Sequence, residues 1–239
     1  MIKLEKTSVM NMENAIRGAR NPMNSWDRMD SFICDECHGG LCEFGGWNGR
    51  DCPVSDDNRF VLGSNDLALA RRLIKAGSDH RKFLRQIFVS VDITAPLYWW
   101  KEMDTYKVAT VANSCSTMHK IHAKEFTWDD FSHEHLTHGY LSGSATSSRQ
   151  MLSALIQFLN VCRKHYLVSK NKNDWWQIIQ LLPSSYNQLR TVTLNYETLL
   201  NIYHARKNHK LDEWHTVCDW IETLPYFKEM CLEGEADGE

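Results

Sequence analysis

The residues best suited to hold a ligand lie in one segment near the C-terminal end of the chain, LNYETLLNIYHARKNH. At roughly 100° per residue, Asn195, Asn201, Arg206 and His209 fall within one arc of a helix surface. One arc lets an amide, a guanidinium and an imidazole face one cleft, where they would hydrogen-bond a polar ligand. Ile202 shares the arc, however, and a solvated helix face is the commoner explanation of such a pattern. Taken alone, this helix therefore favours the solvated face over a binding site.

A second candidate lies in the stretch from His80 to Lys120. It begins with an apolar alternating run, turns at Ala95-Pro96, and continues through an aromatic-rich helical pattern. It ends in VATVANSCSTMHK, a segment crowded with small polar residues. Such a segment is suited to wrapping a phosphate or a nucleotide.

A third candidate is the Gly-, Cys- and Asp-rich insert at residues 31–57, which has no helical period. It contains four cysteines, with His38 beside one of them: Cys34, Cys37, Cys42 and Cys52. A C-x2-C pair on a tight turn brings two thiolates to one tetrahedral ion, and the other two cysteines would complete a structural zinc site. A set of unpaired thiols and a disulfide arrangement are the alternatives.

For three further patterns we favour a structural explanation over a functional one. His133, His135 and His138 have no carboxylate at a diagnostic spacing, so we interpret them as exposed loop histidines. The pairs Trp99-Trp100 and Trp175-Trp176 resemble stacking platforms for a base, but such pairs are more often core or subunit-interface anchors. For Cys115, nothing nearby indicates a lowered pKa, so a packed cysteine is the default.

The elements that must position these residues are mostly helices, with a few strands. We predict strands at 2–9 and 88–94, helices at 12–20, 66–76 (with Asn65 as N-cap), 97–104, 148–167, 174–182, 193–208 and 211–223, and a long loop at 121–146. No repeat or low-complexity linker divides the chain. The sequence therefore predicts one α/β domain over residues 1–239, with the insert at 31–57.

Composition excludes several classes of protein. Of the 239 residues, 43% are hydrophobic and 24% charged, as in ordinary globular proteins. The net charge of -3 gives no reason to expect binding to nucleic acid or to acidic membranes. No apolar run approaches the roughly 18 residues that span a bilayer, and the N-terminus lacks the apolar region of a secretory signal. We expect a cytoplasmic protein with mostly reduced cysteines.

At residues 80–120 and 182–214 the chain resembles the flavin-dependent thymidylate synthase family. In the first block, the register through Ala95-Pro96 puts His80 on the family's flavin-contacting histidine. The family's Arg-His-Arg is replaced by Thr105, Tyr106 and Lys107, its serine by Thr110, and its acidic-x-Ser-x-Arg phosphate segment by Asn113, Cys115 and Thr117. Lys107 keeps a positive charge and Thr110 a hydroxyl, but threonine cannot make the bidentate, charge-assisted contact of the phosphate-binding arginine.

The second block keeps more of the family's pattern. Asn201 and Arg206 have the family's five-residue separation, which implies contacts with the flavin and with the uracil ring, respectively. His209 lies one residue short of the family's flavin-contacting histidine. Glu197 stands where an arginine is usual. The resemblance also implies the family's fold, with a central sheet and long helices, a homotetramer, and FAD as cofactor.

Three functions follow as expectations. The first is a nucleotide-binding descendant of the synthase scaffold that has lost thymidylate synthesis and binds, or sequesters, a nucleotide-like signal. The second is an active FAD-dependent synthase-like methyltransferase acting on a deoxyuridylate-like substrate, with Lys107, His119 and Lys120 as replacement cations for the phosphate. The third is a structural or interaction protein that docks through the insert. The overall pattern is compatible with a phage or prophage accessory protein.

Overall fold

The computed structural model describes residues 2–34 and 59–233. In chain order the elements are β1 (Lys3–Met10), α1 (Met12–Ala19), β2 (Phe32–Ile33), β3 (Phe60–Val61), α2 (Ser64–Lys75), β4 (Phe88–Pro96), α3 (Leu97–Met103), β5 (Val111–Ser114), α4 (Thr117–Lys120), α5 (Ser148–Ser169), α6 (Lys172–Leu181), β6 (Asn187–Asn195), α7 (Tyr196–Arg206) and α8 (Asp212–Glu222). A four-stranded sheet has the order β1-β4-β6-β5, and β2 pairs with β3 in a separate antiparallel ladder. The predicted α/β class, with a central sheet and long helices, is confirmed.

The described residues cluster into two compact units. Unit 1 contains residues 2–5, 92–107 and 112–192, and unit 2 contains residues 6–34, 59–91, 108–111 and 193–233. Most of the predicted elements are present with ends shifted by one or two residues. The extent of the single predicted domain over 1–239 stays a prediction, because the structure does not describe residues 35–58 and 234–239.

One predicted helix begins later than expected, because a strand precedes it. The sequence pattern predicts a helix over 193–208, whereas β6 runs to Asn195 and α7 begins at Tyr196. The β-branched run Thr191, Val192 and Thr193 favours extended backbone. Asn195 then caps the helix, since its Oδ1 accepts from the Thr198 N–H at 2.9 Å and from the Thr198 hydroxyl at 3.1 Å.

The start of α2 differs from the prediction in the identity of its cap. Asn65 lies inside the first turn, since the helix begins at Ser64, and so it is not the N-cap. The side chain of Asp30 caps the helix from a distant loop. Its two oxygens accept from the backbone N–H groups of Asn65 at 2.8 Å and of Asp66 at 3.0 Å. A carboxylate there accepts hydrogen bonds from N–H groups that have no partner within the helix, and its negative charge interacts favourably with the positive end of the helix dipole.

Unit 1 is built on the helical pair α5 and α6. Its apolar core consists of Ile121, Phe126, Phe131, Leu152, Ile156, Leu159, Cys162 and Ile178. The capping box at the start of α5 is made by Ser147 and Gln150, whose side chains bond reciprocally to each other's backbone N–H. The predicted loop at 121–146 includes a short 3-10 turn, Trp128–Asp130.

Unit 2 is held by a buried ion pair as well as by apolar packing. Arg20 at the end of α1 contacts Asp66 in α2, with Nε donating to Oδ1 at 2.6 Å. The second carboxylate oxygen accepts from the N–H of Ser31 at 2.9 Å and from its hydroxyl at 2.6 Å. Both charged side chains are almost fully buried, so each depends on the other for neutralisation.

Within the described ranges, none of the helices has the length and apolar character that a bilayer span requires.

Candidate functional site

The nine predicted ligand-binding residues are divided between the two units. Unit 2 contains His80, Thr110, Asn201, Arg206 and His209, and unit 1 contains Lys107, Asn113, Cys115 and Thr117.

In unit 2, Arg81 in the turn after α2 contacts two side chains of α7, Glu197 and Asn201. The Arg81 Nε lies 3.0 Å from Glu197 Oε2 and donates to Oε1 at 3.2 Å. Its Nη2 reaches Asn201 Oδ1 at 3.5 Å. The Arg81 and Glu197 side chains are only 20% and 11% exposed, whereas Asn201 is exposed. The guanidinium therefore neutralises the carboxylate and also approaches the amide that the family resemblance assigns to the cofactor.

The sequence interpretation overlooked Arg81. Arg81 follows His80 directly. The backbone N–H groups of His80 and Arg81 donate to the Gly77 carbonyl, at 3.0 and 3.1 Å, respectively. Gly77 has φ +99 and ends α2, a conformation that favours glycine. A carboxylate at 197, in place of the family's arginine, is the signal that could have led to Arg81, because a buried acid needs a cation nearby.

Arg206 and His209 lie together at the corner between α7 and α8. The Arg206 guanidinium carbon is 4.9 Å from the centroid of the Trp214 ring, and Trp214 is fully buried. The His209 ring lies 6.4 Å from the same ring, edge to face. His209 Nδ1 accepts from the Leu211 N–H at 3.2 Å, so the neutral imidazole carries its proton on Nε2. The corner thus combines a planar cation with an imidazole N–H donor.

Asn195 is not a ligand candidate, even though it shares the helical arc of Asn201. The contacts of its Oδ1 with the N–H and the hydroxyl of Thr198 cap α7. Ile202, on the same arc, is buried. The polar face suited to a ligand therefore narrows to Asn201, Arg206 and His209.

Thr110 lies in a strained segment of unit 2. The preceding residue, Ala109, has φ +56, a left-handed conformation that costs energy for any residue with a side chain. Thr198 Oγ1 lies 3.2 Å from the Val108 carbonyl oxygen and can donate its one proton either there or to Asn195 Oδ1, which ties the segment to α7. Thr110 Oγ1 is buried, and no described atom hydrogen-bonds to it. A buried hydroxyl without a partner is costly, so a ligand atom or water would stabilise it.

In unit 1 the predicted phosphate segment runs along β5 to the first residue of α4. Asn113 and Cys115 are exposed, and Thr117 is half-buried. The expectation of a packed Cys115 is wrong, because the residue is exposed. Its N–H donates to the Leu189 carbonyl at 2.9 Å and its carbonyl accepts from Gln188 Nε2 at 2.8 Å.

Lys107, also in unit 1, is exposed just after α3, and its N–H donates to the Thr105 carbonyl at 3.1 Å. The Thr105 hydroxyl donates to the Glu102 carbonyl at 2.7 Å, so it closes the end of the helix. All three residues in the Arg-His-Arg positions thus have local structural contacts, since the Tyr106 N–H donates to the Met103 carbonyl at 3.0 Å. The ligand roles of Lys107, Asn113, Cys115 and Thr117 stay predictions.

The two tryptophan pairs differ in burial. Trp99 and Trp100 are fully buried, which confirms their interpretation as core residues. Trp175 is half-buried and Trp176 is 39% exposed, so the second pair is not part of the core. These two rings meet edge to face at 4.8 Å.

The proposed zinc site lies mostly outside the described residues. Cys37, Cys42 and Cys52 are among residues 35–58, whereas Cys34 is described and its N–H donates to the Arg59 carbonyl at 2.8 Å. Within 2–34 and 59–233, no group of three or more histidine, cysteine or acidic side chains is arranged to hold a metal ion, and this includes His133, His135 and His138. Zinc in the insert stays a prediction.

Comparisons with known proteins rest on structure. No protein-family model and no curated relative matches the sequence. Thymidylate synthase X from Helicobacter pylori, solved with FAD and dUMP, superposes with a TM-score of 0.61 over 98% of both chains, at 13% identity. A second structure of that enzyme, also with FAD and dUMP, covers 96% of this chain and 98% of its own at TM-score 0.59 and 14% identity. The UMP/dUMP methylase PolB from Streptomyces cacaoi, bound to 5-Br dUMP, covers 96% of this chain and 93% of its own at TM-score 0.55 and 14% identity. The chain has the fold of the flavin-dependent thymidylate synthase ThyX.

Proposed function

We propose that this protein binds a nucleotide or a nucleotide-like small molecule and has lost thymidylate synthesis. The observation that carries the proposal is the shared fold, over at least 96% of the chain, with proteins whose structures hold dUMP or 5-Br dUMP. Within unit 2, the exposed amide of Asn201 and the guanidinium of Arg206 are suited to the carbonyl and N–H edge of a base.

The substitutions on the same scaffold argue for the loss of the reaction. Glu197 stands at an arginine position of the family, and Arg81 is occupied in neutralising it. Thr105 and Thr117 replace two further arginines, including the one that grips the phosphate. A phosphate held without a bidentate arginine is bound less tightly and less directionally, so the ligand would be positioned for binding and not for turnover.

FAD fits the side chains of unit 2 in part. His80, Asn201 and His209 offer hydrogen-bonding groups of the kind that contact a flavin ring, and the orphaned hydroxyl of Thr110 offers one more. Bound reduced flavin would supply a hydride. The roles that this chain's own residues would have are to hold the ring through His80, Asn201 and His209, and to hold a base through Arg206.

The second candidate is therefore a working flavoenzyme, a synthase-like methyltransferase. The similarity to a synthase and to a UMP/dUMP methylase favours it. Purified protein with flavin absorbance nearly stoichiometric to the chain would support this candidate over the first. A colourless protein that is stabilised by nucleotides would support the nucleotide-binding function. A negative result in both assays would favour a structural or interaction protein.

The proposed site is tested by thermal unfolding with dUMP. At a ligand concentration of 100 times Kd, binding to the native state stabilises by about 2.7 kcal/mol, which corresponds to a rise in Tm of about 5–10 °C for a chain of this size. Arg206→Ala should lower that rise by the part due to the unit 2 site, whereas Arg72→Ala, an exposed arginine on α2 with the same charge change, should preserve it. An unchanged rise in Arg206→Ala would sink the proposed site.

A homo-oligomer, with a tetramer as the family's precedent, is part of the proposal. It is supported by large apolar side chains that α5 leaves exposed, among them Met151 (61%), Phe158 (48%) and Val168 (89%). Exposed apolar surface of this kind is typical of protein interfaces. Sedimentation of the purified protein measures the assembly directly, and a monomer would contradict this part.

A further inference from the structure

Unit 1 contains a cleft that includes only one of the residues predicted to bind a ligand, His119. It lies between α4, the C-terminal end of α5 and the N-terminal end of α6, and its volume is about 310 Å³. Its lining includes six polar or aromatic side chains: His119, His122, Tyr166, Lys170, Lys172 and Trp175. This volume is at the lower end of the range for small-molecule sites, which suits a mononucleotide better than a dinucleotide cofactor.

The lining has an excess of positive charge. Lys170 Nζ lies 5.7 Å from the Tyr166 ring centroid and Lys172 Nζ lies 5.9 Å from that of Trp176. Within residues 2–34 and 59–233 neither lysine has a carboxylate partner. The nearest acid in the chain, Asp174, does not line the cleft, and its carboxylate accepts from the Ser169 hydroxyl at 2.6 Å. Cations gathered without counter-charges raise the local concentration of anions.

A second observation in the same cleft points to a missing partner. His122 Nδ1 is buried, and no described atom hydrogen-bonds to it. The His122 ring is held in place, since it meets the Tyr166 ring edge to face at 4.8 Å. Its backbone is held too, because Arg163 Nε donates to the His122 carbonyl at 3.0 Å. A fixed, buried polar atom without a partner is unfavourable, and a ligand in the cleft would relieve it.

The aromatic rings of the lining set the shape of the ligand. Trp175 is half-buried at the start of α6 and presents a ring to the cleft. Asn171 caps α6, and its side chain accepts from the Asn173 N–H at 2.9 Å, so the positive end of the helix dipole adds to the charge of the lysines. A base stacks on an aromatic ring in a sequence-tolerant way, and a phosphate binds ammonium groups and helix N-termini.

From this arrangement we infer a second binding site, in unit 1, for a mononucleotide or a similar aromatic phosphate ester. The lysines hold the phosphate, Trp175 stacks on the ring, and His122 Nδ1 makes one hydrogen bond to the ligand. The site is independent of the unit 2 residues proposed above, so either proposed site can be disproved without affecting the other.

The test uses UMP, uridine and inorganic phosphate as probes of the full-length protein, followed by calorimetric titration and by the ¹⁵N resonances of the histidine side chains. UMP should bind at least tenfold more tightly than either uridine or phosphate, because it uses both parts of the cleft. The resonance of His122, assigned with His122→Gln, should move on addition of UMP. Equal affinity for phosphate and UMP, or a stationary His122 resonance, would overturn the inference.

The matched variants are Lys170→Asn/Lys172→Ala and, as control, Lys75→Ala/Lys164→Ala, which removes the same charge from exposed positions outside the cleft. Asparagine is used at 170 because this residue has φ +55, which asparagine tolerates. We expect the first pair to lower UMP affinity at the His122 site about tenfold or more, and the control pair to change it less than threefold. The His122 response should persist in Arg206→Ala. If the His122 resonance no longer moved in Arg206→Ala but still moved in Lys170→Asn/Lys172→Ala, all binding would belong to unit 2 and the inferred cleft site would be refuted.

Discussion

The Arg81 guanidinium lies 3.0 Å from the Glu197 carboxylate, across a separation of 116 residues in the chain. A cation that the family resemblance places on α7 is absent there, and a carboxylate takes its position. The positive charge next to Asn201 comes instead from the turn after α2. A positive group next to Asn201 is thus supplied by a different residue, and Glu197 neutralises its charge.

A double-mutant cycle should detect this relationship as a coupling. Arg81→Ala leaves the mostly buried Glu197 without its cation, whereas Glu197→Gln in the same background removes the charge that needs it. We expect a coupling free energy of about 1–2 kcal/mol, measured by urea unfolding of the wild type, both single variants and the double variant. A value near zero would show that the two side chains act independently.

The buried ion pair of unit 2 should dominate its stability. Arg20 and Asp66 are 4% and 0% exposed in their side chains, so Asp66→Ala leaves an uncompensated buried guanidinium and also deprives Ser31 of its acceptor. We expect a loss of about 3–5 kcal/mol in the free energy of unfolding. Asp79→Ala, which removes an exposed carboxylate, should change it by less than about 0.5 kcal/mol. Similar losses in both variants would contradict a special role for the pair.

Stability at high pH should depend on Tyr203. Its hydroxyl donates to Glu222 Oε1 at 2.6 Å, and this bond, followed by burial, raises the pKa of Tyr203 to about 12. An acid with a raised pKa in the folded state contributes stability that is present below its unfolded pKa of about 10 and is lost as pH rises through 12. Tyr203→Phe should therefore weaken the fall in unfolding free energy between pH 10 and 12. Tyr140→Phe, at an exposed tyrosine, is the control and should leave the profile unchanged.

The described cysteines should differ sharply in reactivity toward an alkylating agent. Cys115 is exposed, whereas Cys218 is buried and that burial, with the nearby carboxylates of Asp219 and Glu222, raises its pKa to about 11. Because the thiolate is the reacting species, iodoacetamide at pH 8 should modify Cys115 and leave Cys218 unmodified until the protein unfolds. Peptide mass mapping with and without urea measures both. Equal rates in the native protein would show that Cys218 is accessible.

Much of the fold was predictable from local patterns. The apolar spacing along 148–167 predicts α5, the apolar run after Phe88 predicts β4, and Pro96 correctly separates that strand from α3. Local spacing also placed Asn201, Arg206 and His209 on or directly after one helix. These features depend on hydrophobic periodicity and on backbone restrictions, and both are properties of neighbouring residues.

Other features needed the folded chain, because their partners are distant in sequence. The cap of α2 comes from Asp30, the cation for Glu197 comes from Arg81, and the cleft around His122 needs the ends of three helices. The sequence alone determined which residue types and helical faces were available, and which arginines of the family were missing. Tertiary structure decided which charges are paired and which polar atoms are orphaned, since burial and distance between remote residues exist only once the chain has packed.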